Sequence, residues 1–313
     1  MDKDEEIIDL VEFENSLYSD NPVFEVREII DIDFWVDRLV THPLLRPFFL
    51  DRIVKLCAEY CENLDFRDKI LKISSLRCPV LIYRLYCKCV LSFENIWPIL
   101  NQKNCFWLCY YFRKEINCFE DFMIHKNNKK HDCFSIDDED AFEKMLEYGF
   151  FPSTPEYCLK YDDIDVFRGI FNSELESKEL QWSPFEWSEK PGSFDCLSFS
   201  GYFGSLRCFN FLIMNGFQLS PSVRSIVVCS GNFDLYHMYS ETEDFADQIC
   251  NATQYYNMPL LMFLLERGEN TNKMNSESLS PLHLGSIYGH IGMIKFLIQN
   301  KARIDISTNR VCY

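Results

Sequence analysis

Basic residues are scarce in this chain, and no stretch of it forms a basic stripe. Its 313 residues include 31 Lys and Arg against 48 Asp and Glu, which gives a formal net charge of −17 at pH 7. Affinity for nucleic acid comes mainly from Lys and Arg side chains that neutralise phosphates. The short basic patch at residues 126–131 is too small for that role, so we expect no nucleic-acid partner.

The sequence also lacks a secretory signal and a membrane span. Its first ten residues, MDKDEEIIDL, contain neither the basic segment nor the apolar core of a signal peptide. The longest unbroken apolar run, residues 105–112, is far shorter than the roughly 18 residues that a spanning helix needs. We therefore expect no membrane association and a cytoplasmic location, with the nucleus as an alternative.

The C-x-x-C spacing of zinc ribbons and thiol redox motifs is absent, although the chain has 15 cysteines. Cys57 and Cys61 stand four residues apart in an apolar segment, as do Cys105 and Cys109, so the thiols of each pair face one side of a helix. A buried thiol behaves as a small hydrophobic group. We interpret the cysteines as reduced core residues and expect neither a metal nor a cofactor.

The composition is that of a folded protein with about two domains, because about 150 residues make one domain and 47% of the residues are apolar. Residues 1–135 carry apolar side chains at helical spacing, and no strand alternation competes with it. The polar segment at 125–140 indicates a solvated connection. We predict an all-α protein with a helical N-terminal domain at 1–135 and a second domain at 136–313.

Internal repeats occupy the second domain. Segment 203–217 aligns with segment 288–302, so that Gly204 falls on Gly289 and an apolar triplet follows each at the same offset. A third copy at 255–269 lies about 33 residues before the last one, a spacing typical of repeat proteins. Each unit is best interpreted as two short antiparallel helices that stack on their neighbours, because one pair cannot bury its apolar face alone.

Two shorter copies, at 161–171 and 230–240, share a second pattern in which a polar pair, an apolar residue and Asp precede an apolar helical face. The spacing between neighbouring copies in this part of the chain is below the full period, which indicates trimmed loops. We interpret the repeats up to about residue 245 as degenerate and those in 246–313 as clearer.

The segment 280–305 closely resembles an ankyrin repeat. The family's T-P-L-H signature and its helix-joining glycine are matched by Ser280, Pro281, Leu282, His283 and Gly289. Ser280 can cap the first helix, Pro281 suits its first turn, and Gly289 can adopt the left-handed conformation that ends it. The resemblance implies that the His283 ring is structural and hydrogen-bonded to neighbouring turn groups.

Three further positions in this segment bear on the resemblance. His290 follows the helix-joining glycine, and we expect it at the surface or in the turn. Gly292 lies within the second helix, and Lys301 stands where the family usually has a left-handed glycine. The last two are departures from the family pattern.

More widely, the chain from about residue 160 onward looks like the degenerate ankyrin-type segment of a greatly expanded set of protist ankyrin-repeat proteins. Segments 195–216 and 225–239 carry this resemblance together with the third repeat copy. It implies an ankyrin-type α-solenoid preceded by a helical leader. It also implies an interaction scaffold without catalytic activity that binds a protein partner.

In ankyrin arrays, partners usually contact the concave surface made by the hairpin tips and the first helices. In this sequence the resemblance places such tips at 273–277 and 307–310. We therefore expect partner contacts at Met274, Ser276, Glu277, Ile287, Tyr288, Asn309 and Arg310.

Other functions and interfaces remain open at this point. The protein could be a substrate adaptor of a degradation complex, or a thiol-dependent enzyme that uses His125, His131 or His237. The array also stops at a repeat boundary without a polar capping repeat, which predicts a partner, self-association or a truncated sequence. Finally, the aromatic stretch at 181–192 either plugs a gap between repeats or forms a docking patch.

Overall fold

The computed structural model of the protein describes residues 32–45, 50–102, 105–125, 139–172, 174–175, 178–183, 185–186, 194–239 and 245–307. Within these ranges the regular elements are α-helices, and an isolated antiparallel bridge pairs Leu180 with Phe194. The predicted all-α class is confirmed for this part of the chain. The described residues cluster into two compact units.

The first unit contains the described residues from 32 to 152 and from 182 to 186. Its helices are α1 (Ile32–Leu45), α2 (Leu50–Tyr60), α3 (Leu64–Arg77), α4 (Pro79–Cys87), α5 (Phe93–Leu100), α6 (Phe106–Tyr111), α7 (Phe119–His125) and α8 (Glu139–Tyr148). Helix α8 follows the boundary predicted at residue 135, yet its contacts assign it to this unit. The division into folding domains stays a prediction, because contacts alone do not show which segment folds by itself.

The aromatic stretch after residue 180 contributes to the core of the first unit. Phe185 is 2% exposed, and its ring lies edge-on to Tyr111 at 5.3 Å and to Phe142 at 5.8 Å between centroids. Such edge-to-face pairs are the favoured geometry of buried aromatic rings. Phe185 therefore fills a gap, but the gap lies in the first unit and not between repeats, so that part of the interpretation was wrong.

The second unit contains the described residues from 153 to 181 and from 194 to 307. Its helices are α9 (Pro155–Tyr161), α10 (Ile164–Ile170), α11 (Cys196–Phe203), α12 (Leu206–Met214), α13 (Pro221–Ser230), α14 (Phe233–Tyr239), α15 (Phe245–Gln254), α16 (Met258–Glu266), α17 (Pro281–Ile287) and α18 (Ile291–Gln299). Consecutive helices contact each other in pairs, beginning with α9 and α10. The first helices of successive pairs, α9, α11, α13, α15 and α17, also contact one another in that order.

The same backbone joint connects the two helices of every one of these pairs. One residue with positive φ stands directly before the N-cap of the second helix, where a left-handed conformation reverses the chain. These residues are Asp162 (φ 54°), Gly204 (75°), Gly231 (74°), Tyr256 (53°) and Gly289 (65°). Repeats that the sequence presents as degenerate therefore keep one backbone geometry.

A hydrogen bond of one kind links each pair to the pair before it. The N-cap side chain of a second helix donates to a backbone carbonyl at or near the C-terminal end of the preceding pair's first helix, a contact that we call a rung. The rungs run from Ser205 Oγ to Leu159 O, from Asn232 Nδ2 to Gly204 O (2.8 Å), from Asn257 Nδ2 to Val228 O (3.0 Å), and from His290 Nε2 to Gln254 O (2.9 Å). Each rung satisfies a carbonyl that has no partner within its own helix.

Candidate partner-binding groove

The last helix pair begins at a capped turn. Ser280 is 1% exposed, and its Oγ accepts a hydrogen bond from the backbone N–H of His283 at 3.3 Å. The backbone N–H of Ser280 in turn donates to Nδ1 of His283 at 3.1 Å. This reciprocal capping box fixes the imidazole ring against the turn.

The other residues of the signature continue the helix from this cap. Pro281 is buried at the first helical position, where its missing N–H leaves no hydrogen bond unmade. Leu282 is half-buried, and its carbonyl oxygen accepts from Ser286 Oγ at 2.8 Å. Gly289 supplies the left-handed residue that ends α17.

His290 lies in the joint between α17 and α18 and is fully buried. Its ring stacks on Tyr288 with centroids 5.8 Å apart and meets Tyr256 at 5.1 Å, while its Nε2 forms the last rung to Gln254. The turn, one of the two positions expected for this residue, is confirmed, and the surface alternative is not observed. The ring is buried because it bridges two adjacent helix pairs.

A groove of about 510 Å³ opens between α15, α17 and the loop tip that precedes α17. Its walls are mostly polar, whereas Leu279 and Leu284 form a buried apolar floor and Ile287 is 59% exposed at its edge. The residues of this α15–α17 groove are Ser225, Asp247, Asn251, Gln254, Asn275, Ser276, Glu277, Leu279, Leu284, Ile287 and Tyr288.

Hydrogen bonds hold the tip of the groove in one conformation. The Asn275 carboxamide oxygen accepts from the backbone N–H of Glu277 at 3.0 Å and of Leu279 at 2.9 Å. The tip is also tied to the first turn of α15, because the Ser276 N–H donates to Asp247 Oδ1 at 3.2 Å. A surface that is ordered before binding loses less conformational entropy when a ligand arrives.

Residues 278–309 match the family model of the ankyrin repeat. The match supports an ankyrin-repeat protein, as the resemblance of segment 280–305 predicted. It spans α17 and α18 and therefore one wall of the groove. Ankyrin repeats indicate protein–protein interaction in general. No curated protein matched the chain.

The structure brings only some of the seven predicted contact residues together. The groove brings together Ser276, Glu277, Ile287 and Tyr288. Met274 is half-buried in the same tip but does not line the groove. Asn309 and Arg310 lie outside the described residues. Whether any of the seven contacts a partner stays a prediction.

The opposite wall of the groove comes from α15 and was not predicted. Asp247, Asn251 and Gln254 lie there, in a helix without the Ser-Pro start that marks α17. The repeat period was a signal that could have located these residues. Gln254 Nε2 donates to the Tyr288 hydroxyl at 2.9 Å, and the two residues are 34 positions apart, which is about one period. Neighbouring first helices therefore place residues about one period apart on the same groove.

Two other first helices begin with a pair of residues that the sequence interpretation overlooked. Thr154 caps α9 and Ser220 caps α13, and each is followed by proline at the first helical position. Each cap oxygen accepts from the N–H three residues on, as Ser280 does in the ankyrin repeat. The Thr-Pro and Ser-Pro pairs were thus the available signal for these two helix starts.

Ten of the thirteen described thiols are buried, whereas Cys87, Cys89 and Cys118 are exposed, so the interpretation of all the cysteines as core residues was wrong for these three. Cys57, Cys61, Cys105 and Cys109 are each at most 5% exposed. Burial raises the pKa of Cys61 to about 11, with Arg67 opposing the shift, and that of Cys78 to about 12. These last two thiols therefore stay protonated, and hence weakly nucleophilic, at neutral pH.

Two other kinds of site are absent from the described ranges. In that part of the chain, no group of three or more His, Cys, Asp or Glu side chains is placed to hold a metal ion. Among the same residues, no helix has the length and apolar character required to cross a bilayer.

Proposed function

We propose that this protein is a non-enzymatic interaction scaffold that binds a protein partner in the α15–α17 groove. The observation that carries the proposal is the groove itself, which lies beside a matched ankyrin repeat and combines an apolar floor with polar walls. That combination is typical of surfaces on which an apolar side chain supplies affinity and polar groups fix its orientation.

We also propose that the helix pairs from α9 to α18 form an ankyrin-type α-solenoid of the expanded protist type, with the first unit as its helical leader. The repeated left-handed joint and the four rungs support this proposal, because both recur at equivalent positions in successive pairs. Stacked repeats gain stability from neighbour contacts, and they leave their first helices and tips as one continuous binding surface.

The buried thiols of the second unit favour binding over thiol-dependent catalysis. In the second unit, burial together with nearby carboxylates raises the pKa of Cys158 to about 11 and those of Cys196 and Cys250 to about 12. An enzymatic thiol needs a lowered pKa or an adjacent base. His237, one of the two histidines of the enzyme alternative that lie in described helices, packs its ring edge-on against Phe233 and Phe263.

The test compares two isoleucines of the ankyrin repeat. Ile287 is 59% exposed at the groove, whereas Ile298 is 47% exposed on α18 and does not line it. The tagged full-length chain is purified from its own cells as wild type, Ile287→Asn and Ile298→Asn, and the affinity of the co-purified protein is then measured.

We expect Ile287→Asn to weaken partner binding by about tenfold, since loss of a buried apolar contact costs about 1–2 kcal/mol. Ile298→Asn makes the same change in helix propensity as Ile287→Asn, and it should leave binding unchanged. Equal binding by all three forms, at equal melting temperatures, would place the partner elsewhere and overturn the proposal.

A further inference from the structure

The charged side chains that line the α15–α17 groove are acidic. Asp247 and Glu277 contribute carboxylates to its lining, and none of the described residues in that lining is Lys, Arg or His. The chain as a whole carries a net charge of −17. A groove of one charge sign attracts ligands of the opposite sign and repels those of its own.

The carboxylate of Asp247 is held in place before any ligand binds. It lies in the first turn of α15, and its Oδ1 accepts from the Ser276 N–H of the tip at 3.2 Å. The turn that carries Glu277 is fixed in the same way by the Asn275 carboxamide. Hydrogen bonds within the groove therefore fix the backbone segments that carry both carboxylates.

The apolar part of the groove suits the stem of a long basic side chain. Leu279 and Leu284 form the floor and are 6% and 5% exposed, while Ile287 and the half-buried Tyr288 form one edge. Lys and Arg side chains place their methylene groups on apolar surface while the charged end reaches polar groups. An acidic side chain has a shorter stem and the wrong charge for this surface.

We propose that the partner presents a basic segment and that an Arg or Lys side chain of this segment enters the α15–α17 groove. The aliphatic stem lies on Leu279, Leu284 and Ile287, and the cationic end lies toward Asp247 and Glu277. This inference rests on the proposed function, because it names the chemistry of the partner at the same groove.

The test uses labelled peptides of equal length on a Gly-Ser background that differ only in carrying Arg, Gln or Glu at alternate positions. Binding to the full-length protein is measured by fluorescence anisotropy at two salt concentrations. The Arg peptide should bind at least about tenfold more tightly than the other two, and more weakly at high salt. No binding by the Arg peptide, or tighter binding by the Gln or Glu peptide, overturns the inference.

Two variants separate the groove from the general charge of the chain. Asp247→Asn keeps an oxygen that can accept from the Ser276 N–H and removes only the charge, so we expect a loss of about tenfold in Arg-peptide affinity. Asp234→Asn makes the same change at an exposed carboxylate on α14, outside the groove, and should leave affinity unchanged. Equal losses in the two variants would indicate unspecific attraction and would overturn the inference.

The outcomes also separate this inference from the proposed function. Where the native partner depends on Ile287 but its affinity does not respond to Asp247→Asn, the groove is the binding site and the basic segment is wrong. Where Ile287→Asn has no effect on the native partner, the proposed function itself fails.

Discussion

The carboxamide of Asn257 donates a hydrogen bond to the carbonyl oxygen of Val228 at 3.0 Å, across the interface between two helix pairs. The same side chain caps α16, because its Oδ1 accepts from the Leu260 N–H at 3.3 Å. Asn257 is 3% exposed. One buried residue thus serves both the cap of its own helix and the rung to the preceding pair.

Replacing Asn257 by aspartate should separate these two roles. Aspartate keeps a capping oxygen but turns the donor toward Val228 O into a second acceptor, so a buried charge faces a carbonyl oxygen. We expect the free energy of unfolding to fall by about 2–4 kcal/mol, as measured by urea denaturation.

Asn63 provides the matched control for that substitution. It caps α3 by accepting from the backbone N–H groups of Asp65 and Phe66, and it is exposed. Asn63→Asp should change stability by no more than about 0.5 kcal/mol, because Asp and Asn are equally good caps. Equal effects at Asn257 and Asn63 would show that the rung contributes nothing to stability.

Lys301 adopts φ 68° after the end of α18, in the position where the ankyrin family usually has glycine. A side chain in the left-handed region is strained, and glycine relieves that strain. We expect Lys301→Gly to raise the free energy of unfolding by about 0.5–1 kcal/mol. The control is Lys295→Gly, within α18, which should lower it by about 1 kcal/mol. A loss of stability in both variants would contradict the left-handed assignment.

The buried thiol of Cys250 should make stability depend on alkaline pH. Burial, with a smaller contribution from Asp247, raises its pKa from 9.0 to about 12. Between these values the unfolded chain releases the thiol proton while the folded chain keeps it, so stability is retained below pH 9 and is lost as the pH rises toward 12. From pH 7 to pH 10 this thiol should contribute a loss of about 1 kcal/mol.

Urea unfolding of two variants at pH 7 and pH 10 checks this expectation. Cys250→Ala removes the titrating group, so its decrease in stability over that interval should be smaller than that of the wild type by about 1 kcal/mol. Cys89→Ala, at an exposed thiol, should decrease as the wild type does. An unchanged pH dependence in Cys250→Ala would be evidence against the shifted pKa.

The helical class and the last repeat could be predicted because their signals are local. Ser280 and Pro281 specify a helix start by cap chemistry and a fixed φ, and Gly289 specifies the left-handed joint. Both signals operate within a few residues. The family match to residues 278–309 agrees with that prediction.

The other wall of the groove could not be predicted, because its determinants are not local. The third repeat copy, at 255–269, covers α16 and the left-handed joint at Tyr256 before it, but it does not include α15. Asp247 reaches the groove only through stacking, which brings it to a backbone N–H 29 residues further along the chain. His290 was expected at the surface or in the turn, and its burial was not predicted for the same reason, since the rings that cover it belong partly to the preceding pair.

The rungs have a consequence for how this chain can change during evolution. On one side of each rung stands a backbone carbonyl, which every amino acid possesses, so the acceptor helix is free to change its side chain at that position. In the four rungs the donor is a serine, an asparagine or a histidine side chain. Successive pairs can therefore change much of their sequence and still dock on each other through the same hydrogen bond.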